Sequence, residues 1–190
     1  MSTTEEISML DYENYPTVAA VKNKTDFAAA LDSDVQTIFL LSSDIMTVED
    51  YVERTHAAGK LIFVHMDFVD GLSKDASGVR YLATKNIDGI ISTRSNIISA
   101  AAECKITTIQ RFFMIDSRSV DTALETLKSS KTDMVEIMPG IAYKAIKRIA
   151  QNISIPLIAG GLIEQKEEIF QALNCGATMV STGKQELWNM

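Results

Sequence analysis

The chain has 190 residues, of which 46% are hydrophobic and 23% charged, values typical of a globular domain. Its formal net charge of −7 weighs against broad, nonspecific attraction to nucleic acid or anionic membranes, but it is compatible with a local basic patch. No apolar run reaches roughly 18 residues, so we expect no membrane span. The acidic start MSTTEEISML lacks the pattern of a secretory signal, and we expect a cytoplasmic protein.

Two cysteines, Cys104 and Cys175, stand in or beside helical patterns. We predict that both are buried free thiols, with a disulfide or redox role as the alternative. No cluster of histidine, cysteine and carboxylate residues has metal-ligand spacing, so we expect no metal and no cofactor.

Short β-rich runs alternate with helical patterns along the whole chain. Most of the runs are apolar on both faces, as is typical of strands buried on two sides. The predicted strands are TVAAVK (17–22), TIFLL (37–41), LIFVHMD (61–67), GIIST (89–93), TTIQRFF (107–113), MVEIM (134–138), PLIAG (156–160) and TMVST (178–182). We expect Thr25 and Thr47 to cap the first two helices, and GKQELWNM to form a short final helix.

Strict alternation of strands and helices predicts a parallel sheet, and the number of units favours closure. An open doubly wound sheet of five or six strands would leave two units without a place, whereas a TIM-type (β/α)8 barrel uses all eight. The barrel has to be compact, because each unit has only about 24 residues. We predict a single α/β domain, a compact (β/α)8 barrel over residues 1–190, with residues 1–15 as a short N-terminal extension.

Glycines follow the seventh and eighth predicted strands, where barrels of this kind often hold a phosphate. Gly160 and Gly161 end the seventh run, and Gly183 follows Ser181 and Thr182 in the eighth. Backbone N–H groups of glycine can approach an anion because no Cβ intervenes, and the two hydroxyls add donors. We predict that these five residues bind a phosphate. A tight strand-to-helix turn without a ligand is the alternative.

Four charged residues, Lys22, Asp67, Arg111 and Glu136, stand in or at the end of otherwise apolar strands. Charges there are costly to bury unless they are paired or solvated. We interpret them as a ligand pocket, with cations for a phosphate and carboxylates for hydroxyls. An internal salt-bridge network that closes the top of the barrel is the alternative. His65 is either a satisfied core histidine or a ligand contact, and the sequence favours neither.

A set of short strings, in order, covers nearly the whole chain from about Pro16 to Trp188. These strings are VAAVKN, IFLLSSDI, GKLIFVHMDFVDGL, DGIISTR, TIQRFFMIDS, VEIMPG, PLIAGGLI and VSTGKQELW. As a set they resemble the glycerol uptake operon antiterminator regulatory proteins. The resemblance implies a bacterial cytoplasmic regulator that senses glycerol 3-phosphate and acts on the leader mRNA of glycerol-utilisation genes, so that transcription passes a terminator. It also implies a sensor without catalytic residues, whose effector contacts are the strand-end and glycine-loop residues named above.

A surface that binds leader mRNA would have to be local, because the chain as a whole is acidic. The segment GIAYKAIKRIAQNI places Lys144, Lys147 and Arg148 on the polar side of one amphipathic helix. We predict an RNA-binding patch at these three residues, with a solvated helix face as the alternative. Further basic candidates are Arg118, Lys128 and Lys131.

Two other functions stay open. An isomerase, epimerase or aldolase acting on a small phosphorylated substrate would use Lys22 as a Schiff-base former, or Asp67 with Glu136 as an acid–base pair. A barrel with a vestigial site would serve as an oligomeric scaffold. The sequence does not decide whether the chain forms a homo-oligomer.

The segment MDFVDGLSKDASG (66–78) is the longest connection rich in turn-forming residues. If the barrel is a sensor, we expect ligand binding to order this loop, with Gly71 and Gly78 as hinges.

Overall fold

A computed structural model describes residues 14–189, and its eight main strands close into a barrel. The strands are β1 (Thr17–Val21), β2 (Thr37–Leu40), β3 (Leu61–His65), β4 (Gly89–Ser92), β5 (Thr107–Phe113), β6 (Met134–Met138), β7 (Leu157–Gly160) and β8 (Met179–Thr182). Every pairing is parallel, and β1 pairs with both β2 and β8, so no strand is left at an edge. The predicted (β/α)8 barrel is confirmed. The predicted N-terminal extension lies almost wholly outside the described residues and stays a prediction.

Helices on the outside of the barrel connect successive strands. They are α1 (Lys24–Asp32), α2 (Val48–Ala57), α3 (Ala76–Ala83), α4 (Ser95–Glu103), α5 (Ser117–Ser129), α6 (Tyr143–Ala150) and α7 (Lys166–Asn174). After β8 the chain forms a short 3₁₀ helix, Gln185–Leu187, within the segment predicted as a short final helix. The buried Trp188 follows this helix, and its indole Nε1 donates a hydrogen bond to the Thr182 carbonyl at 2.8 Å. None of the helices between residues 14 and 189 is long and apolar enough to cross a membrane.

The predicted cap was wrong for α1, where the neighbouring Asn23 takes the role, whereas Thr47 is the N-cap residue of α2 as predicted but without a side-chain hydrogen bond. Asn23 caps α1, and its Oδ1 accepts a hydrogen bond from the Asp26 N–H at 2.9 Å, so Thr25 lies inside the first turn. Thr47 precedes α2 but makes no side-chain cap bond. Instead, Asp44 Oδ1 accepts from the Thr47 N–H at 2.9 Å and organises the turn that leads into the helix.

The two cysteines are free thiols, as predicted. They are half-buried rather than buried. The physical reason is their position: each follows the last residue of a helix, α4 or α7, where the chain turns back toward the sheet.

Inward-facing side chains change character along the barrel axis. The first layer is apolar and fills the interior; it consists of Val18, Phe39, Phe63, Ile91, Ile109, Met134, Ile158 and Met179. Because side chains alternate along a strand, the inward positions two residues further on form the next layer. That layer includes His65, Arg111, Glu136, Gly160 and Ser181. The polar residues of the sequence thus gather at the C-terminal mouth of the barrel, above a closed apolar floor.

A second, two-stranded parallel pairing lies beyond the ends of β2 and β3, where Ser43–Asp44 pairs with Val69–Asp70. Gly71 turns the chain after this pairing with φ +75°, and a Cβ there would lie 2.4 Å from Ile45 Cγ2. Gly78 lies inside α3, where a Cβ would lie 2.0 Å from the Ser73 carbonyl oxygen. Both glycines therefore have a packing reason, and their predicted role as hinges stays a prediction.

Candidate functional site

A buried carboxylate, Glu136, organises the mouth of the barrel. Its Oε2 accepts a hydrogen bond from Arg111 Nε at 2.5 Å, and its Oε1 accepts one from Ser181 Oγ at 2.7 Å. Glu136 is fully buried and Arg111 is almost so. Removing one partner of such a pair costs about 3–5 kcal/mol, because the other charge stays buried and unpaired. The contact joins β5, β6 and β8. It is one ion pair of the internal salt-bridge network that the sequence analysis gave as the alternative to a ligand pocket.

Position 160 has to be a glycine because Glu136 and Ser181 meet where a Cβ would lie. A Cβ at this position would lie 2.3 Å from Glu136 Oε1 and 2.4 Å from Ser181 Oγ. Real Cβ atoms do not approach so closely, so any larger residue would push the carboxylate away from its partners. The structure thus gives Gly160 a packing role within the ion-pair cluster, while its predicted contact with a phosphate stays a prediction.

A cavity of about 370 Å³ opens above this cluster, between the loops that follow β7 and β8. Six of the predicted site residues line it: Lys22, Arg111, Glu136, Gly161, Ser181 and Gly183. The volume lies in the range of small-molecule sites. The structure therefore brings together most of the predicted site, drawn from five different strand ends.

Several donors line this cavity. Within residues 14–189, the backbone N–H groups of Gly161 and Gly183 donate to no turn, loop or side-chain acceptor. The exposed ammonium of Lys22 has no ion-pair or hydrogen-bond partner in the same range, and Arg111 makes no side-chain hydrogen bond other than the one to Glu136. Lys184, which also lines the cavity, is 3.7 Å from Glu164. The cavity consequently has a surplus of donors and positive charge, the chemistry that an anion requires.

Thr182 faces away from the cavity, because it is one position out of phase with Ser181 on β8. Its Oγ1 donates to the Ile163 carbonyl at 2.7 Å and accepts from the Lys184 N–H at 3.1 Å. The hydroxyl therefore ties the loop after β7 to the loop after β8. Its predicted contact with a phosphate stays a prediction, but the geometry gives it a positioning role instead.

Asp67 lies outside this cavity, in the short 3₁₀ turn Met66–Phe68 that follows β3. Its Oδ2 accepts hydrogen bonds from Ser92 Oγ at 3.0 Å and from the Thr93 N–H at 2.9 Å. Its Oδ1 lies 3.2 Å from Arg94 Nε. The string STR, which ends the fourth predicted strand and includes Arg94, was the sequence signal for this pairing.

His65 is the other polar side chain of this half of the mouth. It is 1% exposed, and neither ring nitrogen has a hydrogen-bond partner within the described residues. Phe68 stacks on the imidazole with 4.9 Å between ring centroids. Burial and the nearby charge of Arg111 lower the pKa of His65 from 6.5 to about 4, against the opposing effect of Asp67. His65 is therefore neutral at physiological pH, and the interpretation as a satisfied core histidine is wrong.

The predicted RNA patch lies on α6. Lys144, Lys147 and Arg148 are exposed, while Ile146 and Ile149 on the opposite side of the helix are buried. Arg148 forms an ion pair with Asp121 of α5, so two of the three cations are unpaired within the described part of the chain. Both readings of this patch, an RNA contact and a solvated helix face, are compatible with this geometry. No group of three or more potential metal ligands occurs between residues 14 and 189.

Replacing Gly160 by alanine will destabilise the protein, because the new methyl group displaces Glu136 from Ser181. We expect a loss of about 1–3 kcal/mol in the free energy of unfolding, measured by urea denaturation. Gly183→Ala is the matched control, since a Cβ there meets nothing closer than the Ala20 carbonyl oxygen at 3.5 Å. Equal stability of the two variants would contradict this account of the cluster.

Acidification will destabilise the protein partly through His65. Its folded pKa is depressed to about 4, so the unfolded chain binds the extra proton between pH 6.5 and pH 4, and stability falls as the pH falls through that window. A shift of this size corresponds to about 2 kcal/mol at pH 4.5. Urea denaturation at pH 7.0 and pH 4.5 should show a pH-dependent loss that is smaller by about this amount in His65→Leu. The same loss in both proteins would show that His65 titrates normally.

The chain matches a protein-family model, a relative of known sequence and several solved structures. The model of the glycerol-3-phosphate responsive antiterminator family matches residues 17–188. The Escherichia coli (strain K12) protein YgcP, itself described as uncharacterized, is 34% identical over 176 residues, which is 92% of each chain. Solved barrel enzymes also match at 9–17% identity, a likeness that shows the fold alone.

Two solved structures from the same group of regulators match the chain over nearly its full length. The glycerol uptake operon antiterminator regulatory protein from Listeria monocytogenes is 34% identical, with a TM-score of 0.89, and the match covers 94% of this chain and 97% of that one. A glycerol uptake operon antiterminator-related protein from Thermotoga maritima is 29% identical, with a TM-score of 0.83 and coverage of 93% and 99%. The family match over residues 17–188 makes the conclusion plain: this chain belongs to the glycerol-3-phosphate responsive antiterminator family.

Proposed function

We propose that the cavity between the loops after β7 and β8 binds the phosphate of glycerol 3-phosphate, and that binding controls a contact with leader mRNA. The observation that carries the proposal is the set of donors around the cavity. The N–H groups of Gly161 and Gly183 donate to no turn, loop or side-chain acceptor among the described residues, the ammonium of Lys22 has no ion-pair partner there, and all three residues line one cavity. A phosphate dianion satisfies such donors at once.

The other predicted residues support the same ligand in different ways. Arg111 keeps one nitrogen on Glu136 and has its remaining donors available to an anion. The Ser181 hydroxyl donates a hydrogen bond to Glu136, and its oxygen is available as an acceptor for a ligand hydroxyl. Gly160 and Thr182 act through their neighbours, by admitting the ion-pair cluster and by joining the two loops.

The output of the sensor, in this proposal, is RNA binding by Lys144, Lys147 and Arg148 on α6. The end of β6 links the two sites. Met138 lines the cavity, a Cβ on Gly161 would lie 2.6 Å from its Cε, and α6 begins five residues later. A ligand that orders Gly161 would therefore press on the segment that leads to the basic helix. The proposal also includes a cytoplasmic location and glycerol 3-phosphate as the effector, without a cofactor. It does not specify an oligomeric state.

Catalysis is the weaker alternative. Glu136 is fully buried, and both of its carboxylate oxygens already accept a hydrogen bond, from Arg111 and from Ser181, so it is poorly placed to exchange a proton with a substrate. Lys22 is exposed and would be a poor Schiff-base former, because an enzyme usually desolvates such a lysine to lower its pKa. Both points favour a binding site over an enzyme or a vestigial scaffold.

Replacing Lys22 by methionine will weaken binding of glycerol 3-phosphate by at least about tenfold, since one charge-assisted contact to the phosphate is lost. Isothermal titration calorimetry measures the change, and Lys24→Met is the matched control because Lys24 is exposed at the start of α1 and does not line the cavity. Absence of binding to the unmodified protein, or equal affinity of both variants, would overturn the phosphate site.

Replacing Lys144, Lys147 and Arg148 by glutamine will flatten the salt dependence of RNA binding. Each lost phosphate contact removes roughly 0.7 from the slope of log affinity against log salt for a single strand. We expect a decrease of about 1–2, because Arg148 is already paired with Asp121. The measurement is fluorescence anisotropy with leader RNA in the presence of glycerol 3-phosphate.

A triple glutamine variant at Lys24, Lys85 and Lys166 is the control, since it removes the same charge from other helices and connections. If both triple variants change the slope equally, the effect is one of net charge, and the patch on α6 is not the RNA site.

A further inference from the structure

Four buried side-chain polar atoms in the described part of the chain have no hydrogen-bond partner, and three of the four belong to His65 and Asp67. These three are both ring nitrogens of His65 and Asp67 Oδ1, and the fourth is Ser43 Oγ. Buried polar groups normally have partners, because each unsatisfied group costs about 1–3 kcal/mol. The three atoms at the end of β3 indicate a site that is built for a ligand that supplies hydrogen bonds.

His65 and Asp67 lie close together at the end of β3. His65 is the last residue of β3, and Asp67 lies in the 3₁₀ turn that follows it. His65 Nε2 is 3.9 Å from Asp67 Oδ2, too far for a hydrogen bond between them. The other oxygen, Oδ1, forms an ion pair with Arg94 Nε at 3.2 Å but accepts no hydrogen bond. Asp67 is thus held in place by Arg94 and by the bonds to Oδ2, while the ring nitrogens of His65 have no partner within the described residues.

Arg111 connects this cluster with the phosphate cavity. It lines the cavity, and it is also the charge whose proximity lowers the pKa of His65. Phe68 covers the imidazole by stacking, so the ring is held in one plane. A small ligand whose phosphate occupies the cavity would therefore extend past Arg111 toward His65 and Asp67.

We propose that His65, with Asp67 Oδ1, binds the hydroxyl groups of the effector and makes the protein selective for a phosphate monoester that carries a vicinal diol. The inference rests on the proposed phosphate site and names what that site selects. A neutral imidazole has one donor and one acceptor, and an ionised carboxylate oxygen accepts. Two adjacent hydroxyl groups, each a donor and an acceptor, complement this set.

The chemistry also explains why a polar cluster would be kept at this position. A pocket that is built to bond hydroxyl groups rejects an analogue that lacks them, because its buried polar atoms then stay unpaired. An apolar wall would give no such selection. The expected consequence is weak binding of esters that have the phosphate alone.

Calorimetry at pH 7.5 with three probes tests the proposal: glycerol 3-phosphate, n-propyl phosphate, which has the same carbon chain without hydroxyls, and inorganic phosphate. We expect the unmodified protein to prefer glycerol 3-phosphate over propyl phosphate by at least about tenfold. His65→Leu should lose most of that preference while its affinity for propyl phosphate changes less than about threefold. Its melting temperature should stay equal or rise, because the replaced side chain had no partner to lose.

His56→Leu is the matched control. His56 Nε2 lies 2.9 Å from Asp88 Oδ2, away from the barrel mouth, so this variant should lose stability and keep the ligand preference. Should His65→Leu fail to fold, the preference of the unmodified protein, together with the imidazole NMR signals of His65 with glycerol 3-phosphate and with propyl phosphate, gives the answer. Signals that respond equally to both ligands would overturn the proposal.

The outcomes distinguish a failure of the hydroxyl site from a failure of the phosphate site. Equal binding of glycerol 3-phosphate and propyl phosphate by the unmodified protein overturns the hydroxyl site and leaves the phosphate site standing. A full preference retained by His65→Leu does the same. If none of the three probes binds, the phosphate site itself is wrong, and the inference falls with it.

Discussion

The mouth of the barrel depends on one desolvated carboxylate. Glu136 is a charged residue on the inward face of β6, directly above the apolar layer of the barrel. Arg111 and Ser181, on two other strands, hold it by hydrogen bonds. Burial makes this contact obligatory, because an unpaired charge at zero exposure would cost several kcal/mol. Gly160 follows from the same requirement, since no side chain fits where the carboxylate and the hydroxyl meet.

Around that anchor the mouth divides into two chemically different halves. The half between the loops after β7 and β8 has the backbone N–H groups of Gly161 and Gly183 and the exposed Lys22. The half at the end of β3 has the unpartnered ring nitrogens of a neutral imidazole. Arg111 lines the first half, and its charge acts on His65 in the second. The positive charge at the mouth is local, because the chain as a whole has a net charge of −7.

The positive charge of the basic helix α6 is also a local feature of an acidic chain. The positive charge of α6 is set by three residues on one face, and it is partly offset by Asp121 from the adjacent helix. Its sequence neighbour, the end of β6, lines the ligand cavity at Met138. The cavity and the basic helix thus share one strand, β6, and the short connection after it.

The sequence by itself determined the periodic features of this protein: eight apolar strands with helices between them, hence a closed parallel barrel, and the position of Lys22, Arg111, Glu136, Gly161 and Gly183 at one end of it. These follow from local patterns, because alternation and strand order decide which residues reach the C-terminal mouth. The tertiary structure alone decided the partners. Glu136 meets Ser181 across 45 positions, Thr182 faces outward by one residue of register, and Asp67 pairs with Arg94 outside the cavity. Whether His65 is satisfied depends on atoms from several strands at once, and no local pattern contains that information, because hydrogen bonds between distant segments exist only after the barrel has closed.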